Sequence, residues 1–314
     1  MITRRHIRIK VMQSLYSYFS ISSNDMLISE KEMIKQIRSI SDLHIIIISF
    51  ILDLHAYATH FLEENKMKYI PSEEDLNPNK KFLNNKIINI LKDDNLLKKE
   101  INRLSSVLRN NEVDIVRKVF VKMYNSQQYA DYLNNKKDDF NQDKKFVQIM
   151  LNEYILDNEI FHFILQERSI FWIDDLPFVS MYIKSQINNI KEMNNNSLMS
   201  TQVFKNNDDK KFAVKLFRET INNENEFELL IESKVKNWEL ERISKMDLLL
   251  IKIALTEIIS FQDIPIKVSF NEYIEISKYY STKNSKVFIN GVLDKIVSDF
   301  KRKGGIKKIG RGLV

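Results

Sequence analysis

Arg4, Arg5 and Arg8 stand at i, i+1 and i+4 in the first ten residues, with no acid among them. On a helix this spacing sets guanidinium groups beside one another on the first turns. Guanidinium pairs with phosphate through two parallel N–H donors and stacks on bases. Single-stranded RNA is held by such charge combined with aromatic faces. The other reading is a solvated basic terminus. Charge along the whole chain bears on the choice. Residues 1–12 carry four basic residues and no acid, and residues 300–314 carry six and no acid, whereas the chain as a whole is only +6. A mildly acidic body with two basic ends points to an anionic partner such as nucleic acid.

The same inventory excludes most catalysis. There is no cysteine, hence no thiol nucleophile and no thiolate metal site. The histidines at 6, 44, 55, 60 and 162 form no zinc-protease pattern, because His55 and His60 are five apart and fall on different faces of a helix. Asp174 and Asp175, between Trp172 and Pro177, read as a helix start rather than a carboxylate pair. The first 290 residues contain no glycine. Phosphate-cradling loops and dinucleotide fingerprints need glycine where backbone approaches a ligand. The chain is therefore expected to have no catalytic residue, no metal and no cofactor.

Scarce glycine, with four prolines at 71, 78, 177 and 265, also disfavours sheets, whose turns draw on both residues. The expectation is an all-α protein. Apolar spacing predicts helices over 2–20, with Thr3 as N-cap, over 27–39, and over 42–66, with Asp42 as cap. Pro71 to Asn79 marks a loop. Helical segments follow near 82–108, 113–134, 143–168, 177–193, 209–233, 238–262, 269–280 and 284–300, and Met193 to Ser200 reads as a polar linker. The apolar run Leu43 to Leu52 is too short to span a bilayer. The basic start leads into an amphipathic stretch and not a signal peptide. A cytoplasmic protein without a membrane partner is expected.

An internal repeat lies within the helices. Asp143-Lys144-Lys145-Phe146 recurs as Asp209-Lys210-Lys211-Phe212, and Glu153, Ile155, Phe161 and Trp172 recur at the same offset, as eight identities in thirty gap-free positions. A duplicated helix pair is the structural meaning.

The C-terminal quarter is the most specific region. A helix from Trp238 stops at Asp263-Ile264-Pro265. Ser269 with Glu272 reads as a capping box for the next helix. Gly291 inside the last helix predicts a close helix contact there. The segments Ile264-Pro265, Asn271-Glu272-Tyr273-Ile274-Glu275 and Ser285-Lys286-Val287-Phe288-Ile289-Asn290-Gly291-Val292-Leu293-Asp294 resemble the transcription antitermination protein family NusB. So does RRHIRIKVMQSLY at residues 4–16. His6 and Lys10 depart from the residues usual there but keep the helix basic. The resemblance covers roughly 1–60 and 209–298.

That resemblance implies a NusB-like helical bundle of two helical subdomains, with an inserted and partly repeated helical region. The implied division is 1–68 (N-terminal subdomain with the basic helix), 69–205 (insertion), 206–300 (C-terminal subdomain) and 301–314 (flexible basic tail). It also implies binding of the boxA element of ribosomal RNA transcripts together with the ribosomal protein NusE, in an elongation complex of RNA polymerase and other Nus factors, without catalysis. Carried onto this sequence, the RNA-binding residues are Arg4, Arg5, Arg8, Lys10, Tyr16, Lys283, Lys286 and Phe288. Asp247 and Asn284 fall at the NusE contact. Helical domains of this kind also occur fused to ribosomal RNA methyltransferases, but the chain lacks the glycine-rich cofactor domain. A helical-repeat scaffold binding only protein, through residues 70–205, is the alternative. Replacing Arg4, Arg5 and Arg8 is expected to weaken RNA binding more than deleting the mobile tail.

Overall fold

Apolar periodicity without glycine leaves the backbone few ways to satisfy its N–H and C=O groups other than helix. In the computed structural model, residues 2–21, 25–108, 112–135, 139–192, 202–235, 243–302 and 304–313 are described. Among them lie fifteen α-helices and no strand. These are α1 (Arg4–Ser20), α2 (Met26–Lys66), α3 (Glu73–Leu76), α4 (Lys86–Asp93), α5 (Asn95–Leu108), α6 (Glu112–Tyr124), α7 (Gln127–Asn134) and α8 (Phe140–Ile149). After a π-helical stretch at Met150–Leu156 come α9 (Glu159–Arg168), α10 (Phe171–Asn189), α11 (Asn207–Asn222), α12 (Glu224–Lys234), α13 (Lys245–Ser260), α14 (Ile266–Tyr280) and α15 (Ser285–Arg302).

Several expected helices are split by side chains that cap a new start inside an unbroken apolar pattern. Asp94 accepts from the N–H groups of Leu96 and Leu97 and divides 82–108 into α4 and α5. Ser126 accepts from Tyr129 and divides 113–134. Asn158 accepts from Ile160 and Phe161 to open α9. Elsewhere the chain runs on. The two helices expected over 27–66 are one, and Asp42 lies on its flank, paired with Arg103 instead of capping. α10 begins at Phe171 and carries Pro177 inside it. The linker at 193–200 and the helix start at Trp238 lie outside the described residues.

The chain divides into two compact units, Arg38–Val203 and Ile2–Ile37 with Phe204–Val314. In the first, the buried stretch of α2 from Ile40 to Leu54 forms the core with α9 and α10, as Phe50 meets Phe161 and the Trp172 indole donates to Ser39. By length and composition α2 is apolar enough to cross a membrane, but this stretch is buried inside the unit, as in a core helix. A second cluster of rings joins Phe82, Tyr129, Tyr132 and Phe146. In the other unit α13 is apolar on nearly every side and buried, packed by α1, α11, α12, α14 and α15.

The repeat has a matching geometry in the two units. Asp143 on α8 and Asp209 on α11 are both buried, and each binds the start of another helix. Asp143 accepts the backbone N–H of Lys86 at the start of α4, and Asp209 accepts from Arg4 at the start of α1. Phe146 and Phe212, and then Phe161 and Phe227, are buried alike.

His44 is fully buried in the first unit, its Nε2 at 2.6 Å from the Gln186 side-chain oxygen. Burial pushes its pKa from 6.5 down to about 4, against the Gln186 bond. Between those values the unfolded chain holds the extra proton. Stability is therefore full above pH 6.5 and is lost as the pH falls toward 4. At about pH 5 the loss attributable to His44 is about 2 kcal/mol. Urea unfolding at about pH 7 and 5 should show this fall, and His44→Phe should reduce it. An identical pH dependence in the variant would remove His44 as its cause.

Candidate nucleic-acid interface

Thr3 opens α1, its hydroxyl accepting from the N–H of His6. The first turn then carries two arginines and no acid at the positive end of the helix dipole, an unfavourable placement. Carboxylates from other helices offset it. Arg4 Nε donates to Asp209 at 3.2 Å, and its guanidinium lies 5.1 Å from the centre of the Phe212 ring. Arg5 donates through Nε and Nη2 to Glu272, both at 2.9 Å. Their side chains are 41% and 48% exposed. The two terminal nitrogens of Arg4 and Nη1 of Arg5 keep donors free for a phosphate.

Arg8 is different. One turn on from Arg4, on the stripe that continues through Val11, Met12 and Leu15, its side chain is 4% exposed. Nε and Nη2 donate to the two oxygens of Glu257, both at 2.7 Å. Glu257 also accepts from the hydroxyls of Ser269 at 2.8 Å and Tyr273 at 2.9 Å. Burial alone would lower the Arg8 pKa, but the bond to Glu257 and its charge raise it overall, so the guanidinium stays charged. Burial likewise works to raise Glu272, but the Arg5 bond and the charges of Arg8 and Arg5 hold it below the usual carboxylate range. Arg8 thus locks α1 to α13, and its donors face carboxylates rather than solvent. Lys10 is also buried, at 1% exposure. Neither side chain is presented at the surface as the RNA-contact expectation requires.

Tyr16 is 43% exposed near the other end of α1, roughly 18 Å along the axis from Arg4. It borders a shallow hollow of about 200 Å³ with Phe19, Lys245, Leu248 and Lys252, the last paired there with Glu224 and Glu228. Lys283 and Lys286 are exposed, with no carboxylate partner among the described residues, and Phe288 is half-buried on α15. The buried Asp247 carboxylate accepts from Ser281 at 2.6 Å and Ser285 at 2.9 Å and ties the α14–α15 turn to the start of α13. It is thus occupied inside the fold and not offered to a partner protein. Asn284 is exposed at that turn. Ser269 sits inside α14, which starts at Ile266, so the expected capping box does not form. A side chain at Gly291 would meet nothing within 4 Å, so the expected close helix contact is absent, and nothing in the structure explains that glycine.

Of the expected residues, Arg4 and Arg5 stand at the start of α1, Tyr16 borders the start of α13, and Lys283, Lys286 and Phe288 lie at the α14–α15 turn and on the first turns of α15. Sequence reasoning missed what joins the chain ends. Phe212 and Phe261 meet edge to face, 5.1 Å between centres. Arg4 approaches this pair from the N-terminus, Lys215 from α11 with its Nζ 4.8 Å from the centre of the Phe261 ring, and Lys308 from the C-terminal segment. That segment is docked, with Ile309 N–H donating to the Gln262 carbonyl at 3.0 Å. The recurrence of Asp-Lys-Lys-Phe at 209–212 was a signal for the first aromatic ring. Nothing in the sequence marked the docking of the tail. Among the described residues no group of three or more histidines and carboxylates is placed to hold a metal.

A family model described as the NusB family matches residues 178–298. Transcription antitermination protein NusB of Salinibacter ruber is 38% identical over 135 residues, 43% of this chain and 84% of that protein. The protein of the same name from Chloroherpeton thalassium is 43% identical over 105 residues, 33% of this chain and 50% of its own length. That of Clostridium kluyveri is 42% identical over 92 residues, 29% of this chain and 59% of its own length. The chain thus spans most of the first relative and between half and three-fifths of the other two. No solved structure matches.

Proposed function

Because the chain belongs to the NusB family of transcription antitermination proteins, we propose that it binds the boxA element of ribosomal RNA transcripts together with the ribosomal protein NusE. The observation that carries this reading is the first turn of α1. Arg4 and Arg5 are aimed outward there by Asp209 and Glu272, with donors left free. Guanidinium held in place by a carboxylate is pre-organised for phosphate, so less side-chain entropy is lost on binding. Tyr16, Lys283, Lys286 and Phe288 supply further aromatic and cationic groups for unstacked bases. The protein then acts in the cytoplasm, without catalysis or a cofactor, as a grip on the transcript within an RNA polymerase elongation complex that includes other Nus factors.

Filter binding with a boxA-containing RNA and NusE, set against a scrambled RNA of equal length, tests the reading. The boxA strand should bind at least tenfold tighter, each mismatched position costing roughly 1–3 kcal/mol by analogy with specific sites on DNA. Equal binding of both RNAs would end the boxA assignment. No RNA binding at all would favour a scaffold that binds only protein.

A further inference from the structure

The C-terminus of α13 carries two ammonium groups on consecutive carbonyls. Lys215 Nζ donates to the Ser260 carbonyl at 2.6 Å, and Lys308 Nζ donates to the Phe261 carbonyl at 2.8 Å. Each ammonium has three donors and spends one there. Among the described residues neither lysine has a carboxylate within ion-pair distance, although Glu257 and Asp263 act on Lys308 from further off. Two like charges are thus placed on consecutive carbonyls of one helix end, whose negative pole favours them. The outer face of α11 continues the positive surface. Lys210, Lys211, Lys215 and Arg218 border a hollow of about 410 Å³ with Asn207, Val214 and one carboxylate, Glu219. Of these, Arg218 is neutralised by Glu30 and Lys211 meets Asp208 only at 3.9 Å. Among the described residues Lys210 has no partner.

We propose that Lys215 and Lys308 form a phosphate-binding pair, extended by Lys210 and Lys211, which holds the RNA backbone beyond the arginines of α1. A phosphate bridging the pair accepts donors already aimed by the two carbonyls. The contact carries no base information, so it adds affinity without sequence preference. It makes the docked C-terminal segment part of the binding surface. The inference rests on the RNA-binding reading of this unit, but not on boxA.

The test uses the full-length chain and a fluorescent oligo(U) strand of about 20 nucleotides, which lacks boxA. Affinity is read by anisotropy between about 50 and 200 mM salt. Lys215→Gln with Lys308→Gln keeps a side-chain donor for each carbonyl and removes both charges. It should weaken binding roughly tenfold at low salt and flatten the log–log salt slope by about two. Lys210→Ala with Lys211→Ala alters only exposed side chains and should also flatten the slope, with an unchanged melting temperature. If both variants keep the wild-type slope, the lysines only cap α13 and the proposal fails. Failure of the wild type to bind oligo(U) overturns it equally. A scrambled RNA that binds as well as boxA bears on the boxA reading alone and leaves this result standing.

Discussion

Replacing Arg8 with alanine should destabilise the protein by about 3–5 kcal/mol, the usual cost of leaving a buried charge without its partner. Glu257 would remain buried inside α13, with only the hydroxyls of Ser269 and Tyr273 to solvate it. The truncation also removes the stem that fills the space between α1 and α13. Thermal melting should drop by roughly 10 °C, with the loss concentrated in the unit that contains α1 and α13. A second substitution separates charge from packing. In Arg8→Ala with Glu257→Gln no uncompensated carboxylate is left, and an amide can still meet both hydroxyls. The double variant should be more stable than Arg8→Ala alone, a strongly non-additive result. If the single variant melts within a degree or two of the wild type, the ion pair is not what holds α1 in place.

That pair shows what was legible in the sequence. Arg8 shares an i, i+3, i+4, i+7 stripe with Val11, Met12 and Leu15, and Glu257 interrupts the apolar run of α13. A charge on an apolar stripe is almost never buried unless paired. The two signals were present, but only tertiary structure says that they meet. Grouping Arg8 with Arg4 and Arg5 as three surface arginines overlooked the stripe. The all-α class was legible for a simpler reason, because a chain without glycine for 290 residues has few routes through tight turns. Helix boundaries were not. Asp94, Ser126 and Asn158 cap new helices within continuous periodicity, and their types alone do not separate a cap from a solvent-facing polar residue. Docking of the segment after α15 rests partly on a backbone bond from Ile309 to Gln262. Backbone bonds leave no mark in the sequence, so the expectation of a mobile tail had nothing to correct it.

Both ends of the chain therefore serve one surface, and the comparison first framed as arginines against tail needs different variants. A triple alanine that includes Arg8 would destabilise the unit it is meant to probe and so mix a folding effect with a binding effect. Deleting the tail would strip the bond to the Phe261 carbonyl as well as the charge. The informative pair is Arg4→Ala with Arg5→Ala.

That double variant should stay folded and bind boxA RNA at least tenfold more weakly at low salt. Its ion pairs, Arg4 with Asp209 and Arg5 with Glu272, are made by half-exposed arginines. Exposed pairs contribute about 0–1 kcal/mol each, but Asp209 is 9% exposed and loses its arginine. The melting temperature should therefore fall by a few degrees, less than for Arg8→Ala, whose partner Glu257 is fully buried. Removing the arginines also leaves Asp209 and Glu272 at the start of α1, where the dipole tolerates them. RNA binding behaves otherwise, because each guanidinium lost from a phosphate retains one counterion on the strand. The log–log salt slope should flatten by about two for the pair and by about one for either single alanine. Lysine at both positions should restore most of the slope and only part of the affinity, since an ammonium keeps the charge but not the paired donors. Isothermal titration at two salt concentrations, with melting curves beside it, separates these effects. A double alanine that stays folded at the assay temperature and keeps the wild-type slope would mean that RNA, if bound, avoids the start of α1.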